Sequence, residues 1–448
     1  MMWLGHHAGH HHRAAAEGAF VITAAAIAYG LTLALSALVA RILPPAQYGE
    51  FSSAVALVSI TCTCATLGLE KYALRLLPEY LHSDRAHKAK GFVLFGVSVA
   101  VALGVAVAFG GFHLYRHFKP HAEGVEVLGR MIAFVPAIAV FLFVLEVATT
   151  FKSAVGSTLI YRIVLPGVTL GAMAYAPHLV TPFTVNDAVN VYGYTWLAAL
   201  VIMIVYTAIV APRELRRAGI SLEPRAWLVE GMEFLGLSLL MSVFAQSAIL
   251  MLEVLRGDRI GVAHLSACMQ ISGLAIILQT ATIRTYGPRL ARLIAAGDFP
   301  GQTVLLRQRA LLMMAIGGAF LAIIVLWGER LLRVFGDEYT DAYPTLVVLT
   351  IGNIVNIVLG GAPLYLQFHG LHRTTLGIAI GGTVLALGSV AAAALMGNYE
   401  TVAKAYVIAL IIMYAAFQVA RRAHTAFAAR AEISRRPSSA KRDTRQGP

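Results

Sequence analysis

The chain reads as a succession of long apolar runs, each about 20 residues or more, separated by short breaks rich in Arg, Lys, Gly and Pro. A run of that length matches the thickness of a bilayer's hydrocarbon core when coiled at about 1.5 Å per residue. Backbone amides find no water there, so such runs must be helices and not open strands. The breaks predict helices near 15–40, 50–70, 91–114, 129–150, 154–176 and 185–211 in the first half. The second half gives 228–255, 260–283, 303–328, 341–366, 374–396 and 399–420. The expected fold is all-α and integral to the membrane, with about twelve transmembrane helices. No connection exceeds about 25 residues, so a soluble catalytic domain has no room.

Composition agrees. Hydrophobic residues make up 58% and charged ones 13% of the 448 residues, where a soluble domain carries about 25% charged. The mean hydropathy is +0.73. Cys62, Cys64 and Cys268 all fall inside apolar runs, which argues against a disulfide framework or a metal site. The net charge of +12 could suggest nucleic acid, but its placement reads as topology. One set of breaks holds Lys71, Arg75, Lys88, Lys152, Arg213, Arg216, Arg284, Arg307, Arg309 and the tail after Arg421. The other set holds far fewer cations, among them Arg41, Arg116, Arg256 and Arg330. The richer side is expected to be cytoplasmic, with both termini inside and anionic lipid heads as partners. Residues 1–14, with a His6–His12 tract of metal-binding composition, are expected to be a disordered lead-in, and 423–448 a basic tail.

The halves echo each other at an offset of about 210 residues. Leu43–Gly49 joins the first two helices as Leu255–Gly261 joins the seventh and eighth; Arg75 and Pro78 correspond to Arg284 and Pro288. Gly167 and Gly171 correspond to Gly377 and Gly381. Six helices is an even unit, so the copies enter the membrane in the same sense. Two six-helix lobes, 15–222 and 223–422, would face each other across a cavity, the glycine pairs allowing close helix packing.

Arg41-Ile42-Leu43-Pro44-Pro45-Ala46-Gln47-Tyr48-Gly49-Glu50-Phe51 resembles the segment that opens the polysaccharide exporters of the multidrug/oligosaccharidyl-lipid/polysaccharide superfamily. Leu67-Gly68-Leu69 with Arg75, the Phe335–Ala342 segment and Phe368-His369-Gly370 resemble further parts of that family. The family commonly has acidic residues where Pro45 and Ala46 stand. The resemblance implies a flippase for undecaprenyl-diphosphate-linked repeat units of O-antigen, capsule or exopolysaccharide, in the bacterial inner membrane. It would work beside glycosyltransferases and a polymerase, with no cofactor and with the coupling ion, H⁺ or Na⁺, left open.

Such cargo needs a polar path and cationic partners for its diphosphate, since an unpaired anion in low dielectric is very costly. Ionisable groups inside membrane helices are therefore candidates. Arg162, deep in the fifth helix, is expected either to meet phosphate or to pair with Glu146 on the fourth. Lys71, Arg75 and Arg284 are expected at an inner mouth, and Arg41 with Glu253 at an outer gate. Tyr192, Tyr194, Trp196 and Tyr365 could stack on sugar rings, and Gln246, Gln270 and Gln279 could bond hydroxyls. Two other functions remain open: a cation-coupled small-molecule antiporter of the same superfamily, and a membrane polysaccharide polymerase or ligase. The antiporter would favour intramembrane carboxylates. The enzyme would need a constellation of acid, base and nucleophile that the sequence does not display.

Overall fold

A computed structural model describes residues 4–118, 125–151 and 154–435, leaving the side chains of 4–22, 283–285, 428–435 and a few other positions outside the described part. Twelve long helical elements, with a short helix Arg213–Arg217 between the sixth and seventh, follow one another without a strand among the described residues. In the N-lobe they are α1 (Leu4–Ile42), α2 (Pro45–Ala65 continued by Leu69–His82), α3 (Ala86–Phe118), α4 (Glu126–Phe151), α5 (Val155–Leu179) and α6 (Val185–Val210). In the C-lobe they are α7 (Pro224–Arg256), α8 (Arg259–Ser272 continued by Ala275–Ala295) and α9 (Phe299–Leu332), then α10 (Asp337–Phe368), α11 (His372–Met396) and α12 (Tyr399–Arg435).

Ten of these are long and apolar enough to cross a membrane, and the bent α2 makes eleven. The element that falls short is α8. Its break divides it into pieces of 14 and 21 residues, and the second carries Arg284, Arg289 and Arg292. Each lobe is organised around its fourth member. Of the most apolar stretch in α4, 67% is buried, and in α10 50%, more than in any other span of the same lobe.

The repeat is visible in backbone hydrogen bonds. At the break in α2, Thr66 N–H donates to Cys62, Leu67 to Cys64 and Leu69 to Thr66; in α8, Gly273 donates to Met269, Leu274 to Ile271 and Ile276 to Gly273. Every one of these pairs is displaced by 207 positions. The two buried cysteines repeat as well: Cys62 Sγ reaches the Val135 carbonyl at the head of the buried core of α4, and Cys268 Sγ the Ala342 carbonyl in the opening turns of α10.

α2 is the element on which the lobes meet. Gly68 sits at φ +71°, a conformation open to glycine at little cost. An added Cβ there would lie 2.5 Å from the Leu235 backbone nitrogen of α7. Gly49, near the other end of α2, lies against the Arg259 carbonyl of α8, and a Cβ would overlap it. The GxxxG pairs do not play the packing role expected of them. A Cβ added at Gly167, Gly171, Gly377 or Gly381 meets nothing within 4 Å, because all four face open space. The close approaches use isolated glycines instead, which sequence spacing does not mark.

At the start of the chain, α1 runs back to Leu4 through the histidine tract. The run Ala14-Ala15-Ala16 that links tract to apolar stretch offers nothing to stop helix propagation. At the other end α12 continues to Arg435, so the described part of the basic tail is helical and not disordered. Residues 436–448 lie outside the described residues.

Candidate functional site

Arg162 stands on a widened turn of α5, the π-helical segment Ile160–Val164, where the Leu165 N–H reaches Ile160 five residues back. The cause is Pro166. It has no N–H to give the carbonyl of residue 162, and its ring crowds that carbonyl, so the ladder slips by one residue just before it. The slip turns half-buried Arg162 into a cavity of about 340 Å³ bounded by α1, α2, α5, α6 and, from the other lobe, Gln270 of α8. The lining is rich in aromatics: Tyr29, Phe51, Tyr161, Tyr192 and Trp196. The guanidinium carbon lies 5.9 Å from the Tyr161 ring centroid. Among the described residues no carboxylate pairs with Arg162, and no carboxylate lines this cavity.

The expected Glu146–Arg162 pair does not form. Glu146 Oε1 instead binds Lys71 Nζ at 2.6 Å, joining α4 to the second segment of α2. The break at Leu67–Gly68 redirects α2 so that Lys71 faces α4, and a sequence reading with α2 straight has no means of placing it there. Lys71 is thus held in an ion pair and is not a free cation of a mouth. Its neighbour Glu70 is buried: it is 7% exposed, and its Oε2 has no hydrogen-bond partner. Arg75 is exposed on the same segment, and the Arg284 side chain lies outside the described residues.

At the opposite end, Arg41 and Glu253 both fall in contacts between the lobes or at their seam. Arg41, the last basic residue of α1, donates from Nε to the Val334 carbonyl at 2.7 Å and from Nη2 to Arg333 at 2.9 Å. These are orphan carbonyls at the end of α9, where a cation also meets the negative end of the helix dipole. Arg259 of α8 binds Glu50 of α2 and lies 3.9 Å from Glu253 of α7, so one guanidinium links two carboxylates across the lobes. Tyr48 and Tyr339 meet edge to face at 6.1 Å beside them. Sequence reading found Arg41 and Glu253 but missed Arg259 and Glu50, the ion pair beside Glu253.

The family model for polysaccharide biosynthesis proteins matches residues 15–293, from α1 to the second segment of α8. The chain belongs to the polysaccharide biosynthesis protein family. That agrees with the exporter resemblance carried by Arg41–Phe51. No curated protein matches the chain. Among solved structures this family member is similar to an inward-facing multidrug resistance MATE family transporter of the MOP superfamily: TM-score 0.72, 16% identity, over 90% of this chain and 96% of that one. An outward-facing MATE transporter gives 0.63 at 14% identity, over 92% and 96%. A MATE bound to MaL6 gives 0.64 at 13%, over 92% and 96%. At such identities the likeness is one of fold: two helix bundles of the MOP kind.

Within that fold, the other expected polar and aromatic residues separate. Tyr192, Trp196 and Gln270 line the cavity. Tyr194 turns outward, 62% exposed, and Tyr365 is fully buried in the C-lobe, hydrogen-bonded to His424.

Proposed function

We propose that this polysaccharide biosynthesis protein is a flippase, moving an undecaprenyl-diphosphate-linked oligosaccharide from the cytoplasmic to the periplasmic leaflet of the bacterial inner membrane. The observation that carries the reading is Arg162: one guanidinium without a carboxylate partner in an N-lobe cavity that Gln270 of the other lobe borders, lined by aromatics and no carboxylate. A guanidinium fork matches phosphate oxygens, and flat aromatic faces suit sugar rings. By the excess of cations on the Arg75 side, the termini are cytoplasmic and the Arg41 end is periplasmic. The Arg41, Arg259 and Tyr48 contacts then form the outer gate that must part for release. Arg75 and Arg284 gather the diphosphate at the inner mouth, with Glu146 kept occupied by Lys71 until the lobes move. A coupling ion, H⁺ or Na⁺, would be carried by buried Glu70. The cargo would come from glycosyltransferases and pass to a polymerase.

The second reading, a small-molecule cation antiporter, draws on the MATE-like fold. It is disfavoured by a cavity whose charged lining residue is an arginine. A polymerase or ligase would require reacting groups that this cavity does not hold. The test is leaflet location of the glycolipid in proteoliposomes, scored by a probe that reaches only the outer leaflet. Wild-type protein should expose the glycolipid, and Arg162→Ala should not. Full translocation by Arg162→Ala would reject the reading.

A further inference from the structure

Arg309 is a large charged side chain of α9 with 1% exposure. Its Nε and Nη2 are buried without a hydrogen-bond partner. A guanidinium cannot shed its proton to escape this situation, and an unpaired buried charge is strongly unfavourable. Natural interiors rarely leave such donors unsatisfied, so the position calls for an acceptor that is not part of the chain.

The surroundings indicate which acceptor. Arg309 lines a cavity of about 430 Å³ inside the C-lobe, between the start of α9, the end of α10 and the end of α12. Arg307, Arg421 and Arg422 line the same cavity, and no carboxylate does. Arg421 is steered there by Gln418, whose Oε1 accepts from its Nε at 3.2 Å. Gly361 in α10 gives the guanidinium its space, since an added Cβ would come within 3.3 Å of Arg309 Nη1. Around buried Arg309 stand half-buried Arg421 and exposed Arg307 and Arg422, and an anion among them would offset their mutual repulsion. The cavity's α9 wall, from Thr303 to Ala310, lies in the first third of the α9 span, and its α12 wall, from Gln418 to Thr425, in the last third of the α12 span. Basic clefts between helices toward the ends of their spans collect the phosphates of lipid headgroups. This cavity shares no lining residue with the Arg162 cavity.

We infer that this four-arginine cleft is a binding site for a phosphate anion, separate from the transport cavity, with Arg309 as its buried anchor and Arg421 and Arg422 as its outer clasp. The phosphate is carried either on an anionic lipid headgroup or on a small soluble ion. The site rests on the C-lobe residues alone and not on the cargo of the flippase reading.

The experiment uses full-length protein and follows thermal unfolding. One arm adds inorganic pyrophosphate to protein in neutral detergent. The other compares bilayer discs of phosphatidylcholine alone with discs containing a bisphosphate lipid, cardiolipin. At least one phosphate source should raise the wild-type Tm in a saturable way, since a ligand held by the folded state stabilises it. Arg421→Ala/Arg422→Ala, both at accessible positions, should weaken that response about tenfold or more. Arg309→Met should abolish the response while melting no lower than anion-free wild type, because it removes an unpaired buried charge. A response to pyrophosphate assigns a soluble ion, and a response to cardiolipin alone assigns a headgroup. No response to either source, or an undiminished one in the Arg421/Arg422 double variant, would overturn the site.

Discussion

The two lobes share a backbone and differ in where they put their arginines. The break in α2 and the break in α8 use the same hydrogen bonds 207 residues apart. Yet the N-lobe turns Arg162 toward the seam, whereas the C-lobe turns Arg309 into its own interior. The far ends differ too. In the N-lobe the connection after α6 folds back over α3. Lys90 Nζ donates to the Arg216 and Ala218 carbonyls, Ser221 N–H to His87, and Trp227 Nε1 to Tyr80. In the C-lobe the chain leaves α12 as the same helix, and the corresponding end is the arginine cleft. Duplication conserved the frame; chemistry diverged within it. At the 207-residue offset Arg162 corresponds to His369 and Arg309 to Ala102, so neither arginine is repeated in the other lobe.

The strongest way to break this contrast is at Arg162. A charge-assisted hydrogen bond to phosphate is worth about 1.5–3 kcal/mol. Arg162→Ala should slow glycolipid translocation by about 10- to 100-fold, and Arg162→Lys, which keeps charge without the fork, should fall between. Initial rates in proteoliposomes decide it. Equal rates for all three would mean that the lobes do not differ in function at this position.

Next come the glycines of the lobe contact against those of the repeated pairs. Gly49→Ala forces a Cβ into the Arg259 backbone and should destabilise by about 1–3 kcal/mol, read as a lower Tm. Gly377→Ala, in open space within α11, should be neutral or stabilising by up to about 1 kcal/mol. The reverse order would show that the paired glycines, not the isolated ones, make the close contacts.

That pair of outcomes also marks the limit of what the sequence discloses. Apolar run length was enough for the twelve elements, because membrane thickness and backbone satisfaction leave little choice. A repeat was legible at about 210 residues, but the Gly, Arg and Pro matches fall two to five residues off the 207 that the backbone bonds show. Side-chain partners were not legible. Glu146 takes Lys71 because of a bend at Leu67–Gly68 that no periodicity announces. Arg307 and Arg309 look alike as loop cations, but two residues of helix separate them by roughly 200°. One is exposed and the other is buried.

The smallest effect concerns the N-lobe cover. Glu223, at the head of α7, binds Lys88 Nζ at 2.5 Å and accepts from Tyr80 at 3.3 Å. The Lys88 hydrogen bond holds its carboxyl below the usual carboxylate range. A carboxylate with a lowered folded pKa adds stability that is complete above its unfolded value, near about 4.3, and lost as pH falls through the folded one. The glutamate is 38% exposed, so solvent screens the pair and the effect is modest. Hydrogen exchange of residues 211–223 should therefore be slow at neutral pH and accelerate on acidification below about pH 4, beyond the intrinsic rate change. Glu223→Gln should raise exchange slightly at neutral pH and remove the acid-dependent step. Among the described residues the end of α12 has no such carboxylate-held cover, and its exchange should follow the intrinsic pH trend below about pH 4. An acid-dependent step at α12 equal to that at 211–223 would erase the difference between the lobe ends.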